Sequence, residues 1–155
     1  MSILDINITI EYPYKLLSNL HKNFFTIDGI DCGSMEGFIQ SLKFEDENMQ
    51  RHICSLNGAK AKTAGRSVEW WRKQELWWKG KAYQRDSKEY QDLLNQAFYE
   101  MLIQNERVRN ALLDTVGHEI VHTIGGTNPK KTVLTQDEYC SRLIKMREGI
   151  LKGIV

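Results

Sequence analysis

Residues 34–44, with the sequence Ser-Met-Glu-Gly-Phe-Ile-Gln-Ser-Leu-Lys-Phe, form the stretch around which the rest of the chain is organised. Its apolar residues recur at the spacing of one helix face: Met35, Phe38, Ile39 and Leu42. At about 100° per residue, Glu36, Gln40 and Lys43 fall on a polar stripe that borders this apolar face. Ser34 is a favourable N-cap residue. The pattern predicts an amphipathic helix, and its polar stripe is either the wall of an active site or an ordinary exposed edge, the more frequent case.

The composition indicates one globular domain over residues 1–155, with 41% hydrophobic and 26% charged residues. A formal net charge of +1 gives no overall electrostatic preference for nucleic acid. The three cysteines, Cys32, Cys54 and Cys140, are odd in number and far apart, as expected in a reducing compartment. The chain has no apolar run of membrane-spanning length and starts without signal-peptide features. We therefore predict a cytoplasmic protein with no membrane partner.

Periodicity and turn residues predict an α+β fold, a single and mostly helical domain with a few short strands. Alternating residues predict a strand over residues 4–10, and Asp28-Gly29 predicts the turn of a β-hairpin. Helices are predicted over residues 34–44, 46–56, 59–64, 87–102 and 106–113, and from a Thr135–Glu138 capping box onward. In the helix over residues 46–56, Met49, Ile53 and Leu56 are predicted to face the core. Residues 17–20 are predicted as a loop, and residues 115–126 as a loop with a short strand.

The segment His118-Glu119-Ile120-Val121-His122 matches the H-E-x-x-H pattern of zinc peptidases. On a helix this spacing places two imidazoles on one face to hold zinc, with Glu119 as the general base. The context opposes this interpretation, because the segment follows Gly117 and is rich in β-branched residues, and Asn128 stands where a third ligand is needed. The alternative is a chance match in a short strand or turn, and we predict no metal site.

Two further clusters are compatible with nucleotide binding. Four tryptophans lie among basic side chains at positions 66–81, and each is either a packing residue or a platform for a planar ring. Residues 125–128, Gly-Gly-Thr-Asn, precede Lys130 and Lys131, and a glycine-rich loop of this kind can hold phosphate through its backbone N–H groups. The loop lacks the full P-loop pattern, so its signal is weak.

Several short segments occur together in an order that resembles the NADAR superfamily, which includes the YbiA-like proteins. They span most of the chain and are found at residues 17–20 (Leu-Ser-Asn-Leu), 24–29 (Phe-Phe-Thr-Ile-Asp-Gly), 35–44, 59–66, 104–105, 112–115, 120–125, 132–135 and Glu138. The chain departs from the YbiA-like pattern before the last helix, where an Ile124-Gly-Gly-Thr127 loop replaces a Trp-Gly-x-Gly element. The resemblance is therefore to a variant branch of the superfamily.

This resemblance implies a YbiA-like fold and an N-glycosidase without a cofactor. The implied substrates are small ribosylated nucleotides, namely ADP-ribosyl-guanine or a ribosylamino-pyrimidine phosphate, with ADP-ribosylated DNA as a further partner. Glu36 is implied as the catalytic carboxylate, and Lys43 is a candidate nucleophile that would form a Schiff base. The side chains expected to bind substrate are Asn19, Gln40, Arg66, Trp77, Trp78, Arg85 and His122.

Two other functions stay open at the level of sequence. The first is a non-catalytic protein that binds nucleotides derived from NAD or ADP-ribose. The second is a zinc metallopeptidase built on His118, Glu119 and His122. Oligomeric state and the identity of the ribosylated substrate are not indicated by any pattern.

Overall fold

Short strands pair two by two around a set of α-helices in the computed structural model, which describes residues 2–7 and 11–154. In chain order the elements are β1 Ser2–Asp5, α1 Tyr14–Leu17, β2 Phe25–Ile27, β3 Ile30–Cys32, α2 Met35–Ser41, α3 Glu47–Ser55, α4 Gly58–Arg66, β4 Glu75–Trp78, β5 Lys81–Gln84, α5 Lys88–Gln104, α6 Glu106–Leu113, β6 His118–Val121 and α7 Gln136–Leu151. A short 3₁₀ turn, Trp70–Arg72, precedes β4. The predicted α+β, mostly helical fold is confirmed.

The long helix α5 is the centre of the core, as its periodicity predicts. It begins after Ser87, whose side chain accepts a hydrogen bond from the Tyr90 N–H, and its seven predicted core residues are all buried. Helices α2, α6 and α7 and strand β2 pack against it. The Thr135–Glu138 capping box is present at the start of α7. Tyr139 and Leu143 of α7 are buried as predicted, whereas Ile144 and Ile150 are only partly buried.

The helix α2 is buried on all sides and not only on its apolar face. Ser34 caps it by accepting a hydrogen bond from the Gly37 N–H at 3.0 Å. It ends at Ser41, three residues before the predicted end. Because α3 and α4 both pack against α2, its polar stripe is covered and is not an ordinary exposed edge. The polar residues Glu36 and Gln40 are therefore interior residues.

The strand pairs are partly as predicted. The Asp28-Gly29 hairpin joins β2 and β3 in antiparallel pairing, as expected. A second hairpin, β4–β5, was not expected; it turns at Lys79-Gly80, where both residues have positive φ angles. Strand β1 pairs in parallel with β6, so that Ser2 lies opposite His118. Of the strand predicted over residues 4–10, β1 covers the beginning, and residues 8–10 lie outside the described residues.

Three local predictions are wrong. Part of the predicted loop over residues 17–20 belongs to the end of the short helix α1. In α3, Met49 is 42% exposed, and the buried polar residue at the next position is Gln50. Gln50 is buried because its side chain bonds the backbone of the second hairpin, donating to the Trp77 carbonyl at 2.7 Å and accepting from the Lys79 N–H at 3.1 Å. Helix α4 continues through Gly65, the residue expected to end it.

Among the described residues, no helix is long and apolar enough to cross a membrane.

Candidate active site

A cavity of about 240 Å³ opens between α2, α4, the loop over residues 18–20 and the segment that follows β6. Its walls come from both ends of the chain. Residues 18–20 and the start of α2 form one side, and residues 122–126 and 132–135 form the other. The polar and ionisable residues among its walls include Ser18, Asn19, Glu36, Gln40, Lys62, His122 and Tyr139. The cavity therefore brings together polar and ionisable side chains that are spread over about 120 positions of the sequence.

Glu36 lies in the first turn of α2 and faces this cavity, with only 8% of the residue exposed. Its backbone N–H donates to the Asn19 carbonyl at 3.0 Å, which fixes the loop over residues 18–20 beside the start of the helix. Burial raises the pKa of Glu36, and the hydrogen bond from Gln40 and the charges of Lys62, Lys43 and His122 oppose that rise. Such a carboxyl is a stronger base than an exposed one when it is ionised.

Gln40 lies one turn after Glu36 and donates from Nε2 to Glu36 Oε1 at 2.9 Å. This is the only side-chain hydrogen bond to the Glu36 carboxyl among the described residues. The other end of the amide, Gln40 Oε1, is buried with no hydrogen-bond partner within the described part of the chain. Gln40 therefore lines the cavity beside Glu36 and binds one oxygen of its carboxyl.

Lys43 lies beyond Gln40 and does not line the cavity. Its Nζ donates to the Gly65 carbonyl at 3.2 Å, and the side chain borders a separate groove that also contains Trp77. Burial lowers the pKa of Lys43, and the nearby Glu36 charge opposes this change. In this position Lys43 acts on Glu36 through its charge and does not reach a ligand in the cavity.

His122 contributes an imidazole to the cavity wall opposite α2. Its Nδ1 lies 2.9 Å from the Ile6 carbonyl oxygen. Because a carbonyl only accepts, Nδ1 donates this hydrogen bond, and Nε2 is the ring nitrogen that it leaves for another partner. The ring stands edge-on to Tyr139 with centroids 5.0 Å apart, and the Tyr139 hydroxyl donates to the Leu17 carbonyl. These contacts tie β1, β6 and α7 to one side of the cavity.

The helical premise of the zinc-peptidase hypothesis is wrong. The segment from His118 to Val121 is the strand β6, so the two histidines are not one helical turn apart. His118 Nδ1 instead lies 2.6 Å from the Ser2 hydroxyl, far along the strand from the cavity. Across residues 2–7 and 11–154, no three His, Cys, Asp or Glu side chains form a group able to hold a metal ion. The H-E-x-x-H match therefore lies in a strand and lacks the helical geometry of the zinc-peptidase motif.

Four of the predicted site residues meet in the cavity: Asn19, Glu36, Gln40 and His122. The other five lie elsewhere: Lys43, Arg66, Trp77, Trp78 and Arg85. Trp78 packs edge-on against Phe38 in the core and donates to Asp28 at 2.8 Å. Arg66 is exposed near the end of α4. Arg85 is buried and pairs with Glu138 at 2.6 Å. Neither tryptophan lines the cavity, so no aromatic platform of the predicted kind faces a ligand there.

Sequence reasoning missed Lys62 and Tyr139 as cavity residues. Lys62 is exposed on α4, and its charge acts on Glu36. The Gly125-Gly126 loop, whose backbone N–H groups were predicted to hold phosphate, does line the cavity, but the Gly125 N–H donates to the His122 carbonyl at 3.0 Å. A helical periodicity plot of α4 would have grouped Lys62 with Arg66 on a solvated face. The sequence did not show that α4 packs against α2, which is what places Lys62 at the edge of the cavity.

The fold and the cavity together define a class of protein: a mostly helical α+β domain with a buried carboxyl, that of Glu36, in a cavity. The chain is similar in structure to the E. coli protein YbiA, solved by NMR, with a TM-score of 0.66 and 18% identity over 98% of this chain and 86% of that one. The fold implied by the resemblance to the YbiA-like proteins is thereby confirmed.

The family is defined by sequence. The model of the family described as bacteriophage protein GP30.3 matches residues 11–148, and the chain belongs to this family. An uncharacterized 17.1 kDa protein of Enterobacteria phage T4, from the Gp30–rIII intergenic region, is 35% identical over 154 residues. That alignment covers 97% of this chain and all of the phage T4 protein.

Proposed function

We propose that this protein is an N-glycosidase that hydrolyses the C1′–N bond of ribosylated or ADP-ribosylated nucleobases. The observation that carries the proposal is the Glu36 carboxyl, which is buried, faces a cavity and has a single side-chain donor in the described part of the chain. The activity itself is the one that the resemblance to the NADAR superfamily implies. Glu36 is the essential residue of the proposed reaction.

The chemistry of the bond explains why a buried carboxylate is needed. As the C1′–N bond breaks, positive charge develops on the ribose, and a negative charge close to C1′ stabilises that transition state. Water then adds to C1′, its oxygen forms the new C–O bond, and its proton is taken up while the base leaves with the bonding electron pair. Glu36 would receive that proton, because burial strengthens it as a base.

The surroundings of Glu36 support binding of a sugar and an adjacent ring. His122 Nε2 and the Asn19 side chain offer polar contacts at the wall, while Ile39 and Tyr139 provide apolar surface. The cavity, at about 240 Å³, is smaller than the roughly 300–1,000 Å³ of pockets that enclose drug-sized ligands. The proposed enclosed part is therefore the ribose and its C1′–N bond, and a phosphate group would lie toward Lys62 at the surface.

Lys43 is a less suitable nucleophile than its sequence position suggested. An attack on C1′ would require the Nζ to leave the Gly65 carbonyl and pass Gln40. We therefore assign the reaction to Glu36, with Lys43 as a nearby positive charge that favours its ionised form.

The test is release of base from defined substrates, followed by mass spectrometry. ADP-ribosylated guanine, in free and DNA-linked forms, and a ribosylamino-pyrimidine phosphate are incubated with the purified protein. Glu36→Gln should lower kcat/KM by at least about 100-fold, because it removes the only proposed general base while keeping size and shape. Substrate binding by this variant, measured by calorimetry, should be retained.

Glu119→Gln is the matched control, because it makes the same chemical change at an exposed carboxylate on β6. It should leave base release unchanged. Ligand binding without base release in the wild-type protein would contradict the proposal and support a non-catalytic nucleotide-binding protein. Full activity in Glu36→Gln would remove Glu36 from the proposed reaction.

A further inference from the structure

Gly65 of α4 lies directly behind the Gln40 amide that binds Glu36. If residue 65 carried a Cβ atom, that atom would be 1.8 Å from Gln40 Oε1 and 2.7 Å from Gln40 Cδ. Non-bonded atoms do not approach so closely, so the amide occupies the space that a side chain at position 65 would need. The same Cβ would lie 3.2 Å from Lys43 Nζ.

Gln40 has no second anchor that would hold its amide in place. Its Nε2 donates to Glu36, and its Oε1 is buried without a hydrogen-bond partner in the described part of the chain. Leaving a buried acceptor unsatisfied is unfavourable, and the structure keeps this arrangement although the residue is only 7% exposed. The amide occupies the space that the missing side chain of Gly65 leaves, in the orientation that points Nε2 at the carboxyl.

We propose that Gly65 is a positioning residue for Glu36, which acts by leaving room for the Gln40 amide to donate to the carboxylate. This inference deepens the proposed function, since it concerns the same carboxyl, but its main readout is independent of activity. A side chain at position 65 would displace the flexible end of Gln40 and break the Gln40–Glu36 hydrogen bond. The fold would survive, because the atoms that must move belong to a side chain and not to the backbone.

The experiment compares Gly65→Ala, Gln40→Ala and the double variant with the wild-type protein. Carboxyl ¹³C NMR on glutamate-labelled protein reports the titration of Glu36, whose signal is assigned by its loss in Glu36→Gln. Gly65→Ala should raise the pKa of Glu36, because the hydrogen bond that favours the ionised form is lost. Gln40→Ala should raise it as well, and the double variant should titrate like Gln40→Ala alone.

Ala61→Gly is the matched control in the same helix. Ala61 is buried, so this change weakens α4 and its packing without placing any atom near Gln40. It should leave the titration of Glu36 unchanged. If base release is observed, the acid limb of its pH profile should move to higher pH in Gly65→Ala, with a loss of about tenfold on the acid side and near wild-type activity on the alkaline side.

The outcomes are distinct. A Glu36 titration in Gly65→Ala that coincides with the wild type, or equal movement in Ala61→Gly, would overturn the positioning role. A double variant that shifts further than Gln40→Ala would show that Gly65 acts by another route and would also overturn it. The expected NMR shifts in a protein that releases no base would support the positioning role and contradict the proposed function.

Discussion

Glu36 and Glu138 are both largely buried, but they differ in the number of hydrogen-bond donors around their carboxylates. Glu138 receives both ends of the Arg85 guanidinium at 2.6 and 3.0 Å, the Gln91 amide at 2.6 Å and the Thr135 N–H at 2.8 Å. Glu36 receives one amide at 2.9 Å. Burial raises the pKa of both groups, but the donors around Glu138 reverse the effect and lower its pKa, whereas that of Glu36 stays raised.

This comparison separates a carboxylate with several hydrogen-bond donors from one with a single side-chain donor among the described residues. The Arg85–Glu138 ion pair holds the start of α7 to the residue that follows β5, and Arg85 also donates to the Thr132 carbonyl, so all three guanidinium nitrogens already donate within the protein. An incompletely satisfied carboxyl beside a cavity retains its capacity to bind protons and positive charge. Three substitutions test the comparison, in decreasing order of expected effect.

The largest effect is expected from Arg85→Ala, which leaves Glu138 buried without its charged partner. Removing one member of a buried ion pair costs about 3–5 kcal/mol, and we expect the free energy of unfolding at pH 7 to fall by about 3 kcal/mol, as measured in urea. Arg72→Ala is the control, because Arg72 and Glu69 form an ion pair that is mostly exposed, and its loss should cost less than about 1 kcal/mol.

The pH dependence of the same pair has a definite sign. Because the folded-state pKa of Glu138 is lowered, its contribution is complete above the carboxyl's unfolded-state pKa and is lost as the pH falls through the folded-state value. The difference between wild type and Arg85→Ala should therefore shrink as the pH falls below about 4. A difference that is constant down to pH 2 would contradict the role given to this ion pair.

A smaller effect of opposite sign is expected for Glu36→Gln, which should stabilise the protein at pH 7. The raised folded-state pKa means that wild-type stability falls as the pH rises from the unfolded-state value of the carboxyl through the folded-state one, and glutamine has no such dependence. We expect Tm to rise by about 3 °C at pH 7, which corresponds to about 1 kcal/mol in a chain of this size, and the gain to vanish near pH 4. Destabilisation at pH 7 would show that Glu36 is a structural residue like Glu138.

The smallest effect is expected for Lys62→Met. Lys62 is exposed, so its influence on Glu36 is weakened by solvent and by salt. The NMR titration of Glu36 should move slightly to higher pH at low ionic strength and coincide with the wild type in about 0.5 M NaCl. A shift that persists in high salt would mean that Lys62 contacts the carboxyl directly.

Much of the fold follows from local sequence. Three predicted features depend only on neighbouring residues and are present in the structure. They are the helix α5, the Asp28-Gly29 turn and the Thr135–Glu138 capping box. The β4–β5 hairpin was not predicted, because its turn residues are Lys79-Gly80 and the surrounding tryptophans follow neither a helix nor a strand pattern. Periodicity and turn residues also supplied the fold class, and the resemblance to the YbiA-like proteins supplied the particular fold, with which the YbiA structure agrees.

The candidate site was harder to predict from the sequence, because it depends on which polar residues the tertiary packing buries. Glu36 and Gln40 were identifiable as a polar stripe, but only packing against α4 converts that stripe into an interior wall. Trp78 and Arg85 have the chemistry of binding residues, yet Asp28 and Glu138 occupy their polar groups. No sequence pattern distinguishes an arginine that awaits a phosphate from one that already has a carboxylate.

The pairing of β1 with β6, and the bond from His122 to the Ile6 carbonyl, have a consequence for synthesis on the ribosome. A nascent chain acquires Glu36 early, but the opposite wall arrives only with residues 122–139. We expect a nascent chain that stops short of these residues to lack the cavity, so that such truncated products would carry the Glu36 carboxyl without the opposite wall.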